Sequence, residues 1–274
     1  MGAMTTHRDP WPAGTPAWAD LTIPSLDDAA AFYGPLLGWE LVDGGAELGG
    51  YTFATVSGRR VAGLGEGSSA GTPAWCVYLA SDDAVAGARS AVAAGARELV
   101  APTNVPALGT MAVLADPTGA VVGLWQAGAL TGWQVAQEAG AVVWVESMSH
   151  DQPTALAFYR SVTGLGAQDM SGRGFVYAAL AGAAGPVAGV GAYGTGAAAD
   201  DEPGRWTVYV GVRDTDEVVA RVTDLGGTVD SGPQDSPFGR VAHLRGPFGE
   251  RFAVISVPDE LRDEPPGARP SSRP

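Results

Sequence analysis

Trp144-Val145-Glu146-Ser147-Met148-Ser149-His150-Asp151, followed by Ala157-Phe158-Tyr159, decides how this chain is built. The stretch alternates and then opens into a helix, and it has an earlier counterpart. Trp18-Ala19-Asp20-Leu21-Thr22-Ile23-Pro24-Ser25, followed by Ala31-Phe32-Tyr33, reads the same way. Trp18 and Trp144, Asp20 and Glu146, Phe32 and Phe158, Gly38 and Gly164 are all 126 positions apart. A second element recurs between them: Trp75-Cys76-Val77-Tyr78 with Asp83 and Gly95 returns as Trp206-Thr207-Val208-Tyr209 with Asp214 and Gly226, 131 positions later. The turns Asp116-Pro117-Thr118-Gly119 and Gly246-Pro247-Phe248-Gly249 are 130 apart, so one residue was gained or lost in the hairpin before them. Self-similarity at a fixed period sets the architecture before any local propensity does. The chain is a duplication, each half made of two modules.

The first module shows what each is made of. Trp18, Asp20 and Thr22 alternate with Ala19, Leu21 and Ile23, the period of a strand with two different faces. Ser25 then caps a helix that has Asp27 and Asp28 in its first turn, where the helix dipole favours carboxylates. Ala29, Phe32, Tyr33 and Leu36 give that helix a buried stripe, and Gly38 stops it. Three strands broken by glycine-rich turns follow, near 40–43, 51–56 and 60–63. The module is β-α-β-β-β, and three more follow it. The predicted fold class is α+β: four βαβββ modules paired into two domains. Residues 1–16 read as a flexible arm, 17–126 as the first domain, 127–140 as a linker, 141–257 as the second domain and 258–274 as a disordered tail. A further flexible loop is expected over 191–204.

Composition narrows the function. With 30 Asp and Glu against 16 Lys and Arg, the net charge of −14 argues against nucleic acid and anionic membrane surfaces. No apolar run is long enough to span a bilayer and no signal region precedes the first strand, so a cytoplasmic location is expected. The single Cys76 excludes a disulfide within the chain and a cysteine-rich zinc site. The glycine pairs Gly44-Gly45 and Gly49-Gly50 are turns, not a phosphate loop, because no Lys-Ser/Thr follows. The tandem halves supply paired modules within one chain, so a monomer is expected, with a dimer as the alternative.

Paired βαβββ modules with Phe-Tyr near the helix end and Asp-Pro-x-Gly before the last strand resemble the vicinal oxygen chelate superfamily of glyoxalases, bleomycin-resistance proteins and extradiol dioxygenases. The resemblance covers about residues 17–257 and is closest to the tandem actinobacterial proteins labelled glyoxalase-like or hydroxylase. It implies that each pair of modules curls its sheet into a cup with the site inside. It also implies, for metal-dependent members, a ligand on the first strand of each module and a Glu on the last. In this chain those positions are Trp18, Cys76, Trp144 and Thr207, then Gly123 and Ala253. None is His, Asp or Glu, whereas a divalent site needs about three converging donors. His7, His150 and His243 fall elsewhere. No metal and no cofactor are expected.

In place of ligands, the inner strand faces carry aromatic groups and one carboxylate per half. Trp18, Thr22, Trp75, Cys76, Trp125, Trp144, Met148, Trp206 and Thr207 are the candidate ligand-binding residues. Asp20 and Glu146 are candidate general acids or bases, with Tyr78 and Tyr209 as partners that stabilise an oxyanion or donate a proton. The plainer reading is that each carboxylate accepts hydrogen bonds from its neighbours and satisfies the interior. Cys76 lacks a histidine to activate it and reads as a small hydrophobe. The expected function is metal-independent binding of an aromatic or polyketide-like natural product, as in antibiotic sequestration. The first alternative is a biosynthetic cyclase, isomerase or lyase acting through Asp20 or Glu146. A metal-dependent glyoxalase or dioxygenase using Glu146 with His150 or His243 is the weaker one.

Overall fold

A computed structural model of the chain describes residues 6–67, 72–194 and 201–256. The tail from 258, the first five residues of the arm and the middle of the 191–204 loop lie outside the described residues. The first half runs β1 (Pro16–Ile23), α1 (Leu26–Leu37), β2 (Glu40–Asp43), β3 (Thr52–Val56), β4 (Arg59–Glu66), β5 (Trp75–Ala80), α2 (Ala84–Ala93), β6 (Arg97–Val105), β7 (Gly109–Ala115) and β8 (Val121–Ala127). The second half repeats it as β9 (Val142–Ser149), α3 (Gln152–Thr163), β10 (Gly166–Asp169), β11 (Tyr177–Gly182), β12 (Gly185–Ala192), β13 (Arg205–Val212), α4 (Thr215–Val222), β14 (Thr228–Ser236), β15 (Gly239–Arg245) and β16 (Arg251–Ser256). All four βαβββ modules are present.

Each half forms one mixed eight-stranded sheet, in the order β2-β3-β4-β1-β5-β8-β7-β6 and its counterpart β10-β11-β12-β9-β13-β16-β15-β14. The two modules of a half meet at their first strands, which pair antiparallel: Asp20 lies opposite Cys76, and Glu146 opposite Thr207. Each first strand also runs parallel to the last strand of its own module, as Asp20 beside Gly63 and Glu146 beside Gly189. The carboxylates therefore sit at the centre of each sheet.

The helices start where sequence chemistry places them. Ser25, Asp83, Asp151 and Asp214 each accept backbone N–H groups of the first helical turn, satisfying donors that have no partner within the helix. Beneath the helices lie Leu21, Ile23, Val77, Leu79, Val145, Val208 and Val210, all buried. The opposite strand faces form the two cups. The strands β6 and β14, at the sheet edges, run several residues longer than the apolar pattern suggests. They carry exposed polar residues and Pro102 or Pro233, tolerated where one side has no ladder to complete.

The halves are tied by their duplicated Phe-Tyr helices. Tyr33 of α1 donates to Glu250 Oε1 at 2.6 Å in the other half, and Tyr159 of α3 donates back to Asp116 Oδ2 at 2.7 Å. Asp116 also accepts from Thr118 N and Ala120 N within its turn. The second turn has Gly246 where the first has Asp116, and a Cβ there would meet Glu250 Oε1 at 2.0 Å. Glu250 supplies from its own position the carboxylate that Gly246 lacks. Trp39 Nε1 donates to Gly140 O at 2.7 Å, and the Phe32 and Phe252 rings meet edge to face at 6.2 Å. The segment read as a flexible arm makes definite contacts over its described part. His7 N donates to Gln134 O, His7 stacks on Trp11 at 4.2 Å, and Trp11 Nε1 donates to Trp133 O in the linker.

Candidate functional site

Each cup holds the same four-residue network on the same framework. In the second half, Glu146 accepts from Tyr209 at 2.6 Å through Oε1 and from Tyr177 at 3.0 Å through Oε2. Trp144 Nε1 donates to the Tyr177 hydroxyl at 3.0 Å. In the first half, Asp20 Oδ2 accepts from Tyr51 at 3.3 Å, Tyr78 supplies a second phenol, and Trp18 Nε1 donates to Tyr51 at 2.8 Å. The glycines beside the carboxylates make this fit: a Cβ at Gly63 would lie 1.6 Å from the Tyr51 hydroxyl oxygen, and one at Gly189 1.9 Å from that of Tyr177.

Tyr51 and Tyr177 were not among the residues anticipated from sequence. Tyr177 opens β11 and Tyr51 directly precedes β3, each just after a glycine-rich stretch, but the signal existed. They keep the 126-residue offset, as do Gly63 and Gly189. A polar residue retained at the repeat spacing outside any core stripe marks a shared role.

Burial sets the electrostatics. Both carboxylates are half-buried among aromatic rings. Burial pushes the Asp20 carboxyl up to about 7, against the lowering effect of its Tyr78 and Tyr51 hydrogen bonds. Burial likewise raises Glu146, opposed by Tyr209, Tyr177 and the charge of Arg205. The tyrosines are raised by burial and by the adjacent carboxylates, so they stay protonated donors at neutral pH. Cys76 is raised by burial and then by Asp20, which keeps it a thiol rather than a thiolate nucleophile.

The other anticipated residues divide by strand parity. Trp18, Trp125, Trp144, Met148 and Thr207 face the cups, and Thr22 is exposed at the rim of the first. Trp125 spends its indole N–H on Leu130 O at 2.8 Å. Trp75 and Trp206 do not line a cup, which corrects the sequence reading. They alternate with Cys76 and Thr207 and so fall on the reverse face, buried against Tyr33 and Trp39 and against Tyr159, respectively. Trp206 Nε1 donates to the Tyr159 hydroxyl at 2.9 Å.

The cups are not equivalent. Phe53 packs on Trp18 at 6.1 Å and Trp125 closes the far wall of the first cup; Trp18, Phe53, Tyr78 and Trp125 are all buried and continuous with the main core. At the matching positions the second cup has Ala179 and Ile255. Its lining residues Tyr209, Val241, Ala253 and Ile255 form a separate cluster against Trp144, and Trp144 is only half-buried. The second cup thus carries smaller groups than phenyl and indole at these two positions, beside the half-buried indole of Trp144.

The residues do not fit a catalytic metal. Among the described residues, no three His, Cys, Asp or Glu side chains converge where they could hold one ion. The positions that would carry ligands hold Trp18, Cys76, Gly123, Trp144, Thr207 and Ala253. His150 packs against Tyr193 at 4.9 Å and His243 against Tyr209 at 5.7 Å, and neither joins Glu146 in a ligand set. No helix among the described residues is long and apolar enough to cross a membrane.

Comparison with known proteins agrees with this geometry. Residues 141–254 match the model of the Glyoxalase/Bleomycin resistance protein/Dioxygenase superfamily, and residues 19–125 match a glyoxalase-like domain. The chain is 37% identical over 274 residues to the anthracycline biosynthesis protein DnrV of Streptomyces peucetius, covering 93% of this chain and 96% of that one. It is 34% identical over 256 residues to a Mycobacterium tuberculosis protein named "Putative glyoxylase CFP32", covering 90% and 97%. Among solved structures, the Mn(II)-bound glyoxalase of Novosphingobium aromaticivorans superposes with a TM-score of 0.63 at 15% identity, covering 89% of this chain and 82% of that one, which supports the fold alone. With both halves matched and full-length relatives above 30% identity, the chain belongs to the glyoxalase/bleomycin resistance protein/dioxygenase superfamily, the vicinal oxygen chelate fold in tandem.

Proposed function

We propose that this protein acts in natural-product metabolism by holding a planar aromatic small molecule in its second cup, without a bound metal. The observation that carries the reading is the Trp144–Tyr177–Glu146–Tyr209 network in a cup where Ala179 and Ile255 replace the Phe53 and Trp125 of the first. A half-buried indole suits stacking against a fused-ring ligand. The Glu146–tyrosine group is the kind of convergent polar set that orients a molecule in an otherwise apolar site. The relative named as an anthracycline biosynthesis protein supports a polycyclic, polyketide-like ligand. The first cup, with the same network under more of its own aromatic side chains, serves structure.

Acid/base turnover is the second reading, and the raised pKa values of Asp20 and Glu146 favour it. A carboxyl titrating near neutrality is matched to proton transfer, and the flanking phenols offer a developing oxyanion two donors. One experiment separates the two. The purified protein is incubated with an actinomycete extract, washed and denatured, and the retained compounds are identified by mass spectrometry. A polycyclic compound retained unchanged by wild type and by Glu146→Gln, but lost from Trp144→Ala, is the expected outcome for a binder. A new isomer or mass-shifted product that disappears in Glu146→Gln makes the protein an enzyme. Retention indifferent to Trp144→Ala removes the second cup from the account.

A further inference from the structure

Beyond the shared network, the second cup holds a group of charges that the first lacks. Arg205 lies on the inner face of β13, two residues before Thr207 and directly opposite Met148. Its guanidinium is close enough to act on Glu146 and on His243, lowering both pKa values. Arg251 on β16 and Arg245 on β15 are paired neighbours, and Arg251 shares Glu202 with Arg205. Arg245 binds Asp230 at 2.7 Å, with Arg251 3.5 Å from the same carboxylate. Arg205 also donates to the Tyr193 hydroxyl at 3.2 Å and lies over that ring. Arg205 Nε is buried without a hydrogen-bond partner among the described residues, and Arg251 Nε is the atom that faces Asp230.

The repeat shows that this group belongs to the second half alone. The first half has Ala74, Val121, Ala115 and Val113 where the second has Arg205, Arg251, Arg245 and His243. The whole chain carries 16 Lys and Arg, every one of them arginine, at a net charge of −14. Gathering three guanidiniums beside one cup carries a desolvation and repulsion cost unless they meet negative charge, and Glu202 and Asp230 supply two carboxylates for the three. Glu146 feels the charge of Arg205, but it already accepts from two phenols and its pKa is raised by burial. Guanidinium forks match carboxylate geometry better than any other side chain.

We propose that the second cup recognises an anionic group, a carboxylate in the first instance, on its aromatic ligand, with Arg205 as the principal contact and Arg251 behind it. This rests on the reading of the second cup as the ligand site. The ligand's ring system lies over Trp144 and its anion points along β13 toward Arg205, while neutral His243 is placed to hydrogen-bond at the ring edge.

The test compares two probes that differ only in charge, anthraquinone-2-carboxylate and anthraquinone-2-carboxamide, titrated into the full chain by tryptophan fluorescence. The carboxylate is expected to bind at least about tenfold more tightly, with a preference that weakens as salt rises. Arg205→Met should abolish the preference while leaving carboxamide affinity within about twofold, and Arg205→Lys should restore part of it. Equal affinity of wild type for the two probes overturns the anion site and leaves the aromatic cup standing. If neither probe binds, the aromatic reading fails instead. The anion site is then decided by sulfate titration followed through the guanidinium NMR signals of Arg205 and Arg251. Saturable shifts at both support it, and unmoved signals overturn it.

Discussion

Asp20 shows how far surroundings move a residue from its ordinary chemistry. Its carboxyl, held near 7 chiefly by burial, keeps a proton in the folded protein at pH values where the unfolded chain has lost it. The sign follows from linkage: a raised acid pKa stabilises the fold fully below about pH 4, and that contribution disappears as pH rises toward 7. The full shift corresponds to roughly 4 kcal/mol at 1.36 per unit, and partial exposure reduces the expected effect to about 1–2 kcal/mol. Asp20→Asn should therefore flatten the pH dependence between 4 and 7 and be relatively more stable than wild type at pH 8, as read from urea midpoints. Parallel slopes for the two proteins would show that Asp20 titrates normally. At this scale the carboxylates, Tyr78 and Tyr209 were legible from sequence because alternation fixes the face each side chain takes. Tyr51 and Tyr177 were not, because they stand at the leading ends of β3 and β11, directly after glycine-rich stretches, where the alternating run is too short to orient them. Trp75 and Trp206 were misassigned for a related reason: aromatic character suggested a ligand wall, but parity puts them on the reverse face.

At the scale of elements, caps, helices and the β-α-β-β-β order of each module followed from local chemistry, and the duplication doubled every signal. What no single element reveals is how the halves join. The Phe-Tyr pair of each helix reads as ordinary core, yet Tyr33 and Tyr159 cross to carboxylates of the opposite half. Contacts between residues 217 positions apart, as Tyr33 and Glu250 are, leave no periodic trace. Glu250 is fully buried and its pKa is raised by that burial. Tyr33→Phe removes the donor to Oε1, leaving Glu250 the Phe248 N–H on Oε2, and should cost about 1.5–3 kcal/mol, since a buried acceptor loses one of its hydrogen bonds. Equilibrium urea unfolding measures it, and a change below about 0.5 kcal/mol would mean that the contact does not couple the halves. The edge strands β6 and β14 carry little apolar pattern of their own, and their extent comes from pairing on one side.

Across the whole molecule, duplication has produced two cups with one inherited network and different contents. The first has large aromatic residues that merge with the core; the second has Ala179 and Ile255 at two of those positions and carries the arginines. Fold membership alone does not assign chemistry, because one scaffold hosts many sites. The residue set separates this chain from metal-dependent members more sharply than its overall shape does. The central claim, that the second cup is the place where a planar aromatic ligand binds, is tested most directly by isothermal titration with a neutral tricyclic quinone, 1,8-dihydroxyanthraquinone, against wild type, Trp18→Ala and Trp144→Ala. One molecule per chain, retained in Trp18→Ala and weakened at least about tenfold in Trp144→Ala, is the predicted result. Two molecules per chain, loss in Trp18→Ala with Trp144→Ala unaffected, or no saturable heat in the wild type would contradict it.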